Sequence, residues 1–365
     1  MANVKALVYA LIAITVSAGL YLYKKRQQHL FPAVNDYAND HTRNKAYARY
    51  EAEAKELIAT GLTEHQGPIT ILTPGGPKVI LPASLTDWVK ANKDLDHPEL
   101  VKDDYLSDYP GFEAQTAVHH SDRILINVIK SKLSKNEGSV TVLDASLSEA
   151  LKQYWGDSEA WHLIDWQQDT TGIISRAAAS VFVGPDLAKD TEWQRVTIKY
   201  VIDYFTAVGQ LRRWPASIRP IAHYFNPFSR ACKQGMRQVR DMLREEMVRR
   251  RAAKASGAIY NDAIEWTSTA AGDKDIDQAA LQLGLAIAAL FTTSEALRQT
   301  VIELCKNTDI IPAMREEIQQ AISEFGWTMS ALFKMKLLDS VMKESQRTLP
   351  SLGMCRHMPK TVNPS

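Results

Sequence analysis

The stretch from Asp277 to Asn307, DQAALQLGLAIAALFTTSEALRQTVIELCKN, constrains the fold of this chain more than any other. Between Ala279 and Phe291 it is apolar at nearly every position, the pattern of a helix buried on all sides rather than one lying on a surface. At about 1.5 Å per residue, roughly thirty residues make a rod about 45 Å long, the depth of a whole domain. Such a rod needs other helices around it. Thr292, Thr293 and Ser294 interrupt the apolar run. Hydroxyls at such positions bond to carbonyls one turn earlier and bend a helix, so the notch reads either as a locally satisfied Ser/Thr cluster or as a functional kink. The apolar run is too short for a membrane span, and Glu295 and Arg298 follow it directly.

Length and charge bound the rest. With 365 residues, 45% of them hydrophobic, the chain can bury one large core or two domains. Its 43 Lys and Arg balance 42 Asp and Glu, which leaves no field to attract a polyanion, so no nucleic-acid partner is expected. Cys232, Cys305 and Cys355 are scattered and form no CxxC pair; neither a disulfide framework nor a zinc site follows. Val4 to Tyr23 is an apolar run broken by Lys5 and followed by Lys24-Lys25-Arg26. That length spans an endoplasmic reticulum bilayer, and the basic residues after it set the cytosolic side. The expectation is a single-pass anchor at 4–23, a lumenal start at 1–3 and a cytosolic body at 24–365. The competing reading is a cleaved signal peptide, with Val16-Ser17-Ala18 as a small-residue site.

Past the break at Phe31-Pro32, Asp40 to Thr60 predicts a helix ended by Gly61. Pro68–Pro74 and Pro77–Pro82 flank Gly75-Gly76, a hairpin signal. Leu85 to Asn92 predicts a short helix, and Asp94 to Phe112, rich in Asp, Pro and Tyr, a long loop. Ala117 to Leu133 predicts a helix whose start carries His119, His120 and Arg123; no further ligand stands near the two histidines, which read as surface or core residues. Helices follow at Ser146–Tyr154, Ser158–Val183, Glu192–Arg212, Ser229–Lys254 and Asp262–Thr267, with Pro215, Pro220 and Pro227 punctuating a turn region. The run Arg249-Arg250-Arg251 reads as a solvated face. Ala313–Phe325 and Lys336–Arg347 complete a mainly α chain with a small β portion. In the last helix Leu337, Val341 and Glu344 fall on one stripe, so Glu344 needs a partner, and Arg347 at i+3 is placed to be one.

Taken in order, an apolar amino-terminal anchor, an early hairpin, a long helix with a central Thr, and Lys343-Glu344-Ser345-Gln346-Arg347 about fifty residues later resemble the cytochrome P450 enzymes, haem-thiolate monooxygenases. Val181-Phe182-Val183-Gly184-Pro185-Asp186 with Glu192-Trp193, Leu285 to Thr293, and Pro312 to Ile318 resemble the fungal members that oxidise terpenoids, ent-kaurene oxidase and secondary-metabolite relatives among them. The resemblance implies haem, dioxygen, an NADPH-cytochrome reductase as electron donor, an apolar small-molecule substrate and contact with membrane lipid, at the endoplasmic reticulum membrane. It makes Thr292, with Thr293, the alcohol that helps deliver protons to bound dioxygen. Phe291 stands where the family has an acidic residue or His. Glu344 and Arg347 match the structural pair that holds the haem core, and Arg123 and Arg356 match positions that meet haem propionates. The iron ligand of this family is a Cys in an F-x-x-G-x-x-x-C-x-G loop, a pattern this sequence does not contain; Cys355, between Met354 and Arg356 in SLGMCRHM, falls where the family forms a strand, without the loop that shields the thiolate. The expectation is therefore a P450 fold truncated before its haem-ligand region, without a protein metal ligand. The alternative is a catalytically inactive remnant or a membrane-tethered helical interaction protein.

Overall fold

A computed structural model describes residues 29–118, 122–133 and 137–348. The expected anchor at 4–23, His119, His120, Cys355 and Arg356 lie outside the described residues. The chain divides into two compact units, one running to Asp96 and one from His97.

The first unit is built on a hairpin and one helix. Strands β1 (Ile69–Thr73) and β2 (Gly76–Ile80) pair antiparallel from Ile69↔Ile80 to Thr73↔Gly76. Gly76 at the tight end has φ +107°, a conformation that glycine adopts without steric cost. Helix α1 (Asn44–His65) packs on β1 and buries Leu57 against Ile69 and Ile71. It runs through Gly61, where it was expected to end. A Cβ at Gly61 would stand 2.8 Å from both Ile69 and Val34, so this glycine serves close packing, and the helix ends instead on Gln66 in the left-handed region. Asn35, fully buried, donates to the carbonyls of Ala46 and Leu72 and accepts from the Leu72 amide, fastening its segment to α1 and β1. Helix α2 (Thr86–Ala91) lies inside the range expected for it.

The second unit is helical. Its elements are α3 (His97–Asp104), α4 (Glu113–Val118), α5 (Ile124–Val128), α6 (Glu137–Trp155), α7 (Trp166–Phe182), α8 (Pro185–Ala188) and α9 (Thr191–Leu211). Then follow α10 (Arg219–Phe225), α11 (Pro227–Ala255), α12 (Ala263–Ala271), α13 (Gln278–Lys306), α14 (Ile311–Phe325), α15 (Met329–Lys334) and α16 (Lys336–Thr348). Side chains set these boundaries. Asp165, Asp190, Asn226, Asp262, Asp277 and Thr328 each accept an amide hydrogen from the first turn of the helix they precede. The expected helix from Ser158 begins only at Trp166, because Ser158 to Ile164 are exposed and the cap is Asp165. The expected loop from Asp94 contains α3, and the helix expected over Ala117–Leu133 is broken, with Arg123 at φ +51° between α4 and α5.

Helix α13 is the central rod, packed against α4, α7, α9, α11 and α16. Ala279 to Leu285 are all buried, as the sequence predicted. Each fully buried Leu there stabilises the fold by about 2 kcal/mol relative to exposure. From Ala286 onward one side opens: Ala288 is exposed, and Ala289 and Phe291 are only half-buried. Gly284 lets α4 come close, since a Cβ there would sit 2.7 Å from both the Ala114 carbonyl and Val118. Among the described residues α13 is the one helix long and apolar enough to cross a membrane, and it is a core helix.

Candidate functional site

The hydroxyl notch sits where the sequence placed it. Helix α13 runs unbroken through it. Thr292 Oγ1 donates to the Ala288 carbonyl at 2.6 Å and Ser294 Oγ to that of Leu290 at 2.6 Å, so the hydroxyls are satisfied inside the helix. Ala288 and Thr292, four residues apart, share one face, and that face and Thr293 are exposed while Ser294 is buried in the core. Phe291 turns toward α9 instead, its ring edge-on to Phe205 with centroids 6.2 Å apart. The position for which the resemblance implies an acid or His is thus used here for packing.

The Glu344–Arg347 pair forms as expected, two hydrogen bonds at 2.6 and 2.8 Å on α16, which packs against α13. The expected partial burial is not found. The side chains are 59% and 71% exposed, because the stripe of Leu337 and Val341 is only half-buried and turns outward at Glu344. Arg347 holds the Glu344 carboxyl below its usual range. The buried residue of that turn is Ser345, whose hydroxyl bonds to the Val341 carbonyl.

The basic run on α11 is the second correction. Arg250 is 3% exposed, not part of a solvated face. Its Nε donates to Glu246 at 2.6 Å, its Nη1 and Nη2 to Asp262 at 2.9 and 2.7 Å, and Nη2 also to the Val183 carbonyl at 2.7 Å. The guanidinium lies 4.4 Å from the Tyr260 ring centroid. Asp262 also caps α12, so this node ties together α11, α12 and the end of α7. The sequence signal for it was the Asp262 cap.

The family model for cytochrome P450 matches residues 114–362. This chain belongs to the cytochrome P450 family. Its mainly α architecture with one small hairpin is the fold expected of that family. The P450 is 33% identical over 318 residues to the cytochrome P450 monooxygenase adrA of Penicillium rubens, covering 84% of this chain and 62% of that protein. It is 29% identical over 314 residues to a fusicocca-1,10(14)-diene-8beta,16-diol C-9 hydroxylase of Phomopsis amygdali, covering 84% and 61%. It is 27% identical over 351 residues to the dihydro-ML-236C monooxygenase mlcC of Penicillium citrinum, covering 93% and 68%. The chain thus spans less than two thirds of the first two of these relatives.

The cofactor of the family is haem, and a haem-thiolate centre needs a deprotonated cysteine sulfur across from the oxygen-side helix. Cys232 on α11 is fully buried, and burial pushes its thiol pKa up, so it stays protonated and inert. Cys305 is exposed but stands on α13 itself, thirteen residues after Thr292 (305 − 292), about 20 Å along the same rod. It cannot face that threonine. The described residues therefore offer a threonine-bearing face and no thiolate, and no group of His, Cys, Asp and Glu among them could hold a metal ion. They do not fit the ligand requirement of haem-thiolate iron. An apolar cavity of about 20 Å³ between α7, α9 and α13, lined among others by Ser175, Phe182, Thr197 and Gln282, has room for a water molecule, whereas ligand pockets run to hundreds of Å³.

Proposed function

We propose that this P450 is of a monooxygenase lineage that oxidises a large apolar molecule of secondary metabolism, a terpenoid or a related compound, with electrons from a flavoprotein reductase. The observation that carries the proposal is the exposed Ala288–Thr292 face on a buried rod, within a sequence that the family model covers from 114 to 362. The names of the relatives support the substrate class: one acts on a fusicoccadiene diol and another on dihydro-ML-236C.

Within that reading Thr292, with Thr293 beside it, is the hydroxyl that passes protons at the oxygen side, and Phe291 keeps its own position free of acid. Glu344 and Arg347 hold the haem-side core in place, and Arg123 and Arg356 are partners for anionic groups of the cofactor. The body at 24–365 lies on the cytosolic side of the endoplasmic reticulum membrane, anchored through 4–23.

A fusion of the chain to a segment carrying the family's F-x-x-G-x-x-x-C-x-G loop, expressed with a reductase and offered a panel of terpenoids, tests this. The expected result is a product bearing one added oxygen, lost in Thr292→Ala. A fusion that shows a thiolate-type spectrum and turns over no apolar substrate would refute it. The missing thiolate among the described residues also favours a second reading, a catalytically silent P450 body acting as a membrane-tethered interaction protein. A fusion that folds but takes up no haem would favour that reading.

A further inference from the structure

We propose that His223 is a proton-operated clasp on the segment Tyr105–Phe112: neutral, it pins the segment to α10, and protonated at Nδ1 it lets the segment go.

The segment between α3 and α4 is irregular, yet it is held at each end and in its middle by side chains reaching from the helices beneath. Tyr204 of α9 donates to the Tyr105 carbonyl at 2.9 Å, and Tyr200 to the Gly111 carbonyl at 2.8 Å. Arg212, just past α9, donates to the Asp104 carbonyl at 2.6 Å and to its carboxylate at 2.8 Å. Gly111, at φ +91°, comes so close to α11 that a Cβ would stand 2.8 Å from the Lys233 side chain and 2.9 Å from its amide nitrogen. These partners stay in one protonation state near neutrality: the arginine is always charged, and burial raises the pKa of both phenols.

His223 is different. It is 4% exposed, wedged edge-on against Tyr109 at 5.0 Å and Phe112 at 5.2 Å. Its Nε2 lies 3.1 Å from the Pro110 carbonyl. A carbonyl only accepts, so Nε2 carries the hydrogen of the neutral ring and donates it. Nδ1 is then the site a second proton must take, and it is buried with no hydrogen-bond partner among the described residues. Protonation there would create a cation whose new donor points at nothing, an arrangement that costs free energy.

The charged and titratable neighbours on the packed elements are Lys233 on α11, which opposes the proton, and Glu113 on α4, which favours it, with the phenol of Tyr109 on the segment itself. On α10, Arg219 is half-buried and occupied with the Trp214 carbonyl. Burial comes first among the causes, and with Lys233 it outweighs the Pro110 bond and Glu113, so the imidazole binds its proton less readily in the folded chain than when free. The sign follows. A group whose folded pKa is depressed contributes its full stability above the unfolded value, about pH 6.5 for histidine, and loses it as the pH falls.

Phe112 meets Tyr204 edge-on at 5.0 Å, Tyr204 meets Phe205 at 5.4 Å, and Phe205 meets Phe291. An unbroken line of rings therefore runs from His223 to Phe291, the residue beside Thr292.

Hydrogen exchange on the purified full chain, normalised at each pH to an unstructured peptide, tests the clasp. Going from about pH 7.5 to about pH 5.5, protection of the amides from 105 to 112 is expected to fall, by at most about tenfold because the window reaches one pH unit below the unfolded value. Protection of α9 and α11 should hold. In His223→Phe, which keeps the ring packing, and in His223→Gln, which keeps a donor for Pro110, protection of the segment should not change with pH. If one variant fails to fold, as judged from α9 and α11, the other carries the test. Protection that is independent of pH in the wild-type chain would overturn the proposal. So would protection that rises on acidification, with Glu113 capturing the new N–H, or a fall that persists in both variants.

Discussion

Two arginine–glutamate pairs in this P450 have the same chemistry at helical spacing and opposite surroundings. Arg250 and Glu246 on α11 are buried, and Asp262, the Val183 carbonyl and the Tyr260 ring complete the shell around the guanidinium. Glu344 and Arg347 on α16 form an equally short pair with most of both side chains in solvent. Solvent decides their worth. In water the Coulomb gain of an ion pair is nearly cancelled by screening and side-chain entropy. In the interior it is large but repays a desolvation cost, so such a pair fixes geometry and becomes dangerous mainly when one partner is removed. The buried node therefore sets how α7, α11 and α12 meet, while the exposed pair, despite its place in the family's motif, adds little to the stability of this chain.

The largest effect that would sharpen the contrast is Arg250→Ala. It leaves buried Asp262 without its guanidinium partner and Glu246 with Arg249 alone, with an expected loss of about 3–5 kcal/mol in denaturant unfolding. A loss under about 1 kcal/mol would erase the distinction.

Acid should come next. Burial tends to raise the Glu246 pKa, but its bonds to Arg249 and Arg250 outweigh that and hold it below the usual carboxylate range. The pair's contribution is then present above about pH 4.3 and is lost as the pH falls below it. Unfolding midpoints should drop on acidification more steeply in the wild-type chain than in Glu246→Gln. Equal slopes would separate the node from acid stability.

The smallest effect is expected at the exposed pair, where Glu344→Ala should cost under about 1 kcal/mol in the same assay, a cost that shrinks further at high salt. A cost comparable to that of Arg250→Ala would break the comparison from the other side.

The sequence made α13 legible because burial on every side leaves an unmistakable apolar run. The hairpin around Gly75-Gly76 was legible because a tight turn needs its own residues. The notch at Thr292 was visible too, but not that its hydroxyl bonds back to Ala288 within an unbroken helix. Arg250 was misread for a physical reason: its burial depends on Asp262, twelve residues on, and Val183, sixty-seven residues back, both arriving at one point. Glu344 was misread in the opposite sense. A stripe of apolar positions predicts a buried face only where another element covers it, and cover is a property of the fold rather than of the helix. His223 left no signal at all, since its place between Tyr109 and Phe112 is made by segments more than a hundred residues apart.

The central claim is that the described residues of this P450 present a threonine-bearing face without supplying a thiolate to haem iron. The measurement that tests it most directly is a reduced carbon monoxide difference spectrum of the purified chain after addition of hemin. We expect no thiolate-type Soret band; a stable band of that type would contradict the claim and return Cys355, the cysteine outside the described residues, to the site.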